Sequence, residues 1–168
     1  MSNEYKDWLN DLSPEQRANY DICMKYPILI PERYLYEVFT GDYDYSFCCY
    51  NEIPEGWRKA FGEDWACEVQ QAVDNYYAEL KNIRGDEPID EFDELHILQL
   101  KEKYGVFTQY FTKYTPELRK VIKKYQDLSE KTCIHCGRLA KYRTTGWISP
   151  WCEDCIQLVQ DKFEKISK

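Results

Sequence analysis

Apolar positions recur at intervals of three and four in several stretches of the chain, and this period marks amphipathic helices. Trp65, Val69, Ala72, Val73, Tyr76, Tyr77 and Leu80 form the clearest stripe and predict a helix over residues 63–82. Leu118, Val121, Ile122, Tyr125 and Leu128 predict another, opened by Thr115-Pro-Glu117. There threonine can cap the first free amides, and proline loses no hydrogen bond in the first turn. Ser13-Pro-Glu-Gln16 opens a third, with Ala18, Ile22 and Tyr26 at helical spacing, Cys23 beside them as a small core residue and Pro27 as the stop. Trp8, Leu9 and Leu12 predict a short helix within residues 1–12. Ile53-Pro-Glu-Gly-Trp57 turns the chain into a short helix ending near Gly62, and a last helix from about Glu153 presents Ile156, Val159, Phe163 and Ile166.

Other stretches carry a different pattern. Leu95–Leu100 and Val106–Phe111 are strand-like runs joined by Lys101-Glu-Lys-Tyr-Gly105, which predicts a hairpin whose glycine supplies the unusual turn angle. Pro27-Ile-Leu-Ile-Pro31, bracketed by prolines, predicts an extended segment. Tyr34–Tyr50 is dense in aromatics and acids and reads as a long ordered loop or a pair of edge strands. Its tyrosines either cover an edge of the core or form a contact surface, with Asp42, Tyr43, Asp44 and Tyr45 as the candidate partner contacts. Asp86, Glu87, Asp90, Glu91, Asp93 and Glu94 follow no calcium-loop order and predict a solvated acidic loop.

Composition narrows the class. With 43% hydrophobic and 16% aromatic residues in 168, the chain can bury a core. Its fifteen tyrosines suit wet-edged cores and interfaces alike. The net charge is −8, unevenly placed: residues 131–168 hold seven Lys and Arg against four Asp and Glu, residues 1–130 fifteen against twenty-six. An acidic body repels a duplex, so a phosphate contact falls to the C-terminal part. No run of eighteen apolar residues predicts a membrane span.

The strongest chemical signal is Cys133-Ile-His-Cys136 followed, fifteen residues later, by Cys152-Glu-Asp-Cys155. Two such pairs at this distance are the thiolate arrangement of a structural zinc site, each pair forming a knuckle and two knuckles one tetrahedron. Four thiolates leave no open position for water, so the zinc is expected to be structural; His135 replacing one thiolate is the variant. The absence of a signal peptide and four further scattered cysteines predict a reducing, cytoplasmic location. Between the pairs, residues 139–151 read as two short strands turning at Thr145-Gly146. The expected fold is therefore α+β: an acidic, mainly helical body with a β-hairpin over residues 1–130, and a treble-clef-like zinc module over residues 131–168 packed on it.

Tyr26-Pro-Ile-Leu-Ile-Pro31, Pro54-Glu-Gly-Trp-Arg-Lys-Ala-Phe-Gly62, Leu100-Lys-Glu-Lys-Tyr-Gly105 and Gly146-Trp-Ile-x-x-x-Cys152-x-x-Cys155 with the first cysteine pair span most of the chain. Together they resemble a family of small uncharacterised proteins of bacteria and their phages. The resemblance implies a shared fold and zinc site and an origin on a phage or mobile element, and it carries no activity. No His-x-His pair, phosphate loop or serine elbow is present, and His96 stands alone outside the module, so no catalytic residue is expected. The function expected is a non-enzymatic, zinc-stabilised protein-interaction module that binds and inhibits a host defence factor. The alternative is nucleic-acid binding by the module, with Lys131, Arg138, Lys141 and Arg143 interleaved with Tyr142, Trp147 and Trp151.

Overall fold

Ser13 starts helix α1 (Pro14–Lys25) in the computed structural model, which describes residues 8–167. Its hydroxyl accepts the Gln16 amide (3.2 Å) while the Gln16 side chain accepts the Ser13 amide (2.9 Å), so each caps the other. Of the helix expected before it, residues 1–7 lie outside the described residues and Trp8–Asn10 forms one 3-10 turn. The buried face of α1 is Asn19, Cys23 and the capping Tyr26; Ala18 is exposed. A polar residue takes the inner position because both ends of its amide are bonded. Asn19 Nδ2 donates to the Tyr45 carbonyl (2.9 Å), and its Oδ1 accepts from Asn51 (2.8 Å).

Pro27–Leu29 closes into a 3-10 turn where an extended segment was expected. Proline at the first position supplies a φ that such a turn accepts, and the turn puts Ile28, Leu29 and Ile30 into the core. Helix α2 (Leu35–Thr40) follows and ends at Gly41, whose φ of +82° gives the left-handed cap. Residues 42–48 pair with no strand. Tyr43 and Tyr45 turn inward instead: their rings lie 4.7 Å apart, Tyr43 stacks on Tyr34 and Tyr45 meets Tyr20 edge-on, both at 5.1 Å. The two tyrosines expected at a partner surface are thus core residues, because four packed rings bury more apolar area than contact with water allows. Asp42 and Asp44 remain exposed.

The helix expected to stop near Gly62 does not stop. Helix α3 (Glu55–Trp57) passes through a π turn, Arg58–Gly62, into helix α4 (Glu63–Arg84) without a break. Gly62 has helical angles (φ −56°, ψ −43°), and its missing side chain is the space occupied by Tyr50. Trp57, Phe61 and Trp65 follow one another at steps of four and converge on one ring, Phe107, at centroid distances of 6.2, 6.1 and 5.3 Å. Phe107 comes from the hairpin of strands β1 (Ile97–Lys103) and β2 (Val106–Phe111), antiparallel with Lys103 opposite Val106. β2 keeps its expected span, while β1 starts two residues later and runs three residues further than expected, leaving only Tyr104 and Gly105 as the turn. Both have positive φ (54° and 79°), the signature of the tight hairpin turn whose twist matches its strands.

Helix α5 (Pro116–Glu130) is capped by Thr115, whose hydroxyl accepts the Leu118 amide (3.1 Å). It packs Leu118, Val121, Ile122 and Tyr125 between α4 and β2, with Ser129 in place of the exposed Leu128 as the last inward position. The Ser129 hydroxyl accepts the Phe107 amide (2.9 Å). No helix among the described residues is long and apolar enough to cross a membrane.

After α5 come strands β3 (Tyr142–Thr144), β4 (Pro150–Trp151) and β5 (Phe163–Lys165), an antiparallel sheet in the order β4-β3-β5. The helix expected from Glu153 is replaced by one 3-10 turn, Cys155–Leu158, and then β5. β3 has a free edge opposite β4, and an open edge draws in a strand. Phe163 crosses it to meet Tyr142 edge-on at 5.5 Å, and the Ile166 amide bonds the Lys141 carbonyl (2.9 Å). The chain is α+β, with a four-cysteine cluster in its C-terminal part; its order of knuckle, strand pair, knuckle and third strand departs from a treble clef.

Candidate metal centre

Each cysteine pair is folded into a hook by its own backbone. In the first, the Gly137 amide donates to the Cys133 carbonyl (2.9 Å) and the Cys133 amide to the Arg138 carbonyl (2.7 Å), with Gly137 at φ +83°. In the second, the Cys155 amide points at Cys152 Sγ (3.4 Å) and the Ile156 amide at the Cys152 carbonyl (3.0 Å). Strand β4 joins the hooks: Ile134 donates to the Pro150 carbonyl (3.0 Å), and Lys141 to that of Trp151 (2.8 Å).

The result gathers Cys133, Cys136, Cys152 and Cys155 with their sulfurs all within 4.8 Å of one another. Cys136 and Cys152 are 3.6 Å apart. Metal–thiolate bonds of about 2.3 Å in a tetrahedron require sulfur–sulfur edges of about 3.8 Å, so this donor set fits an ion with little movement. None of the eight cysteines is in a disulfide. His135 is not a member of the cluster: it is exposed, and its ring stacks on Trp151 at 6.1 Å.

The thiols differ in acidity. Burial works against ionising Cys136, but Arg138, whose Nε lies 3.4 Å from the sulfur, and the neighbouring thiols outweigh it and bring Cys136 down to about 6. Burial and hydrogen bonds with Cys152 and Cys136 push Cys155 up to about 12, and burial also raises Cys133. The cluster thus offers one ready thiolate and holds protons that a bound cation would displace.

The first hook is seated on the body. The Gly56 amide in α3 donates to the Ile134 carbonyl (2.9 Å), and the buried Trp57 indole to the Thr132 carbonyl (2.9 Å). A Cβ on Gly137 would stand 2.5 Å from the Gly56 carbonyl oxygen, and one on Gly56 would run into the Cys133 and Ile134 backbone. Gly56, Trp57 and Gly137 belong to the site, although sequence reading did not single them out. The signal was a glycine inside an otherwise helical run, which implies a close neighbour.

The basic, aromatic face expected on the cysteine module is largely engaged. Arg138 pairs with Asp154 (2.6 Å), Lys141 with Glu153 (2.7 Å) and Arg143 with Glu130 (3.2 Å). Tyr142 is covered by Phe163, and Trp151 is half-buried with its indole N–H on Ser149 (2.7 Å). Lys131 and Trp147 stay exposed; Trp147 stands at the tip of the β3–β4 turn. Compared with known protein families, curated proteins and solved structures, the chain matches none.

Proposed function

We propose that the chain is a non-enzymatic protein-interaction module stabilised by a structural zinc ion, and that it binds its partner through α2 and the acidic turn after it. Four thiolates select a soft, tetrahedral ion, and zinc is the one such ion that needs no redox chemistry. With every coordination position filled by sulfur, the ion has no place for water or substrate, and its role is to hold the two hooks and β4 together.

The observation that carries the binding reading is on α2. Tyr36 and Phe39, three residues apart on one helical face, are 76% and 90% exposed, with Asp42 and Asp44 exposed just beyond them. Large rings in water are costly unless a partner covers them, and aromatics are the commonest anchors of protein interfaces. The flanking carboxylates suit a basic groove, such as the nucleic-acid channel of a host defence enzyme, and the resemblance to phage proteins supports an inhibitory role. The carboxylates paired with Arg138, Lys141 and Arg143 give nucleic-acid binding through these three cations less support. The test is recovery of the tagged protein from its host lysate with and without nuclease, beside the variant Tyr36→Ala/Phe39→Ala. A stoichiometric protein that survives nuclease and is lost with the variant supports the reading; a partner retained by the variant removes α2 from it.

A further inference from the structure

A cleft of about 350 Å³ lies where the β1–β2 turn meets the β3–β4 turn, lined by Lys101, Lys103, Tyr104, Trp147 and Ile148 together with Glu102 and Gly146. The two turns are about forty residues apart in the chain, and the fold joins them: a Cβ on Gly105 would lie 3.2 Å from the Ile148 side chain. Two large rings border the cleft and are left in water, Tyr104 at 72% exposure and Trp147 at 76%. Among the described residues no ring contact links them or ties either to another aromatic; Lys103 lies over Tyr104 (5.8 Å) and Lys101 over Tyr110 (5.2 Å). Neither lysine is in an ion pair among the described residues, whereas Arg138, Lys141 and Arg143 all are. Glu102, the acid of the cleft, is turned onto the Gly105 amide (2.6 Å).

Tyr104 is the informative residue. It occupies the first central position of the tight turn at φ +54°, where asparagine or glycine is favoured and a bulky side chain is strained. A strained residue that packs in the core is explained by the core, but this ring is mostly in water. Its backbone cost is therefore offset by something other than packing within the chain.

We infer that this cleft binds single-stranded nucleic acid, one base stacking on Tyr104 and Trp147 and the adjoining phosphates meeting Lys101 and Lys103. Two lysines at alternate strand positions lie on one side of β1, about 6.6 Å apart along the strand, comparable to the step between successive phosphates. Rings plus a short cationic edge are what binds a single strand without regard to sequence. A duplex is excluded by its stacked bases and by the acidic body. The inference is independent of the protein partner proposed for α2.

The test is fluorescence anisotropy of a labelled thymidine octanucleotide with the zinc-loaded full chain, at several salt concentrations. Expected is saturable binding that weakens with salt at a logarithmic slope of about −1.4, the share of two phosphates. Tyr104→Asn is expected to weaken binding roughly 5- to 160-fold, the worth of one stacked base. Its melting temperature should stay level or rise, since asparagine accepts the turn angle, and a merely structural tyrosine would lower it. Trp147→Ala and Lys101→Gln/Lys103→Gln should each weaken binding with an unchanged melting temperature. The inference is overturned by no binding at millimolar protein, by binding indifferent to Tyr104→Asn and Trp147→Ala, by equal competition from thymidine monophosphate per mole, which would make the ligand a free nucleotide, or by equal competition from a glutamate octapeptide, which would reduce the effect to charge.

Discussion

The amide of Gly56 donates to the carbonyl of Ile134 at 2.9 Å, and the backbones approach so closely there that neither Gly56 nor Gly137 has room for a side chain. An alanine inside a helix ordinarily stabilises it by about 1 kcal/mol relative to glycine. At this contact the sign reverses, because the added methyl meets backbone that cannot swing aside. Gly56→Ala is expected to lower the free energy of unfolding by about 1–3 kcal/mol, the cost of overpacking, as measured by urea denaturation. A stabilised variant would mean that the hook is not seated on α3 as described.

Removal of a metal bound at the four cysteines is expected to reach past the module. The four sulfurs are held by hooks with little apolar core of their own, so residues 131–168 should lose their order once a chelator strips the ion, and Cys133→Ser should do the same. The Trp57 indole bonds the Thr132 carbonyl at the base of the first hook, so part of the tryptophan emission should shift to the red as the module loosens. Circular dichroism should retain most of its helical signal from α4 and α5. An unchanged melting curve after complete chelation would contradict a structural metal.

Helix existence was legible in the sequence wherever a cap and an apolar period agreed, as at Ser13, Thr115 and the Trp65–Leu80 stripe. The cysteine cluster was legible from spacing alone. What escaped was set by contacts distant in sequence. Gly62 looks like a stop but makes room for Tyr50, and Asn19 looks like a surface residue but bonds Tyr45 and Asn51. Phe163 and Ile166 fit a helical period, yet the open edge of β3 took that segment as a strand. The cleft between Tyr104 and Trp147 could not be read from either turn by itself, because it exists only where they meet.

Phe107 is fully buried and touches Trp57, Phe61 and Trp65, so one strand residue holds three successive turns of the long helical stretch. Phe107→Ala should cost about 3–5 kcal/mol, since the surrounding rings are too rigid to close the cavity. Phe107→Leu keeps most of the volume and should cost no more than about 1.5 kcal/mol. Similar losses for the two, measured by urea denaturation in the same buffer, would indicate that the ring's position is not the centre of the core.

Alkaline solution should unfold the protein in one cooperative step, for a reason that lies in the buried thiols and phenols. Burial, with Glu52 nearby, pushes Cys49 up from 9.0 to about 12, and burial raises Tyr43 and Tyr125 well above their ordinary 10.0, in the case of Tyr125 with the help of a hydrogen bond to Glu68. A group whose folded value lies above its unfolded one contributes its full stability below the unfolded value, and that contribution is lost as the pH climbs toward the folded value. The contribution of these three groups should therefore be level near neutrality, begin to fall near pH 9 as unfolded cysteine ionises, and fall more steeply above pH 10 as unfolded tyrosine joins it. Phenolate absorbance at 295 nm provides the check. The buried tyrosines should ionise together with the loss of circular dichroism. If all fifteen tyrosines titrated in one smooth curve with the helical signal intact, the burial of Tyr43 and Tyr125 would be wrong.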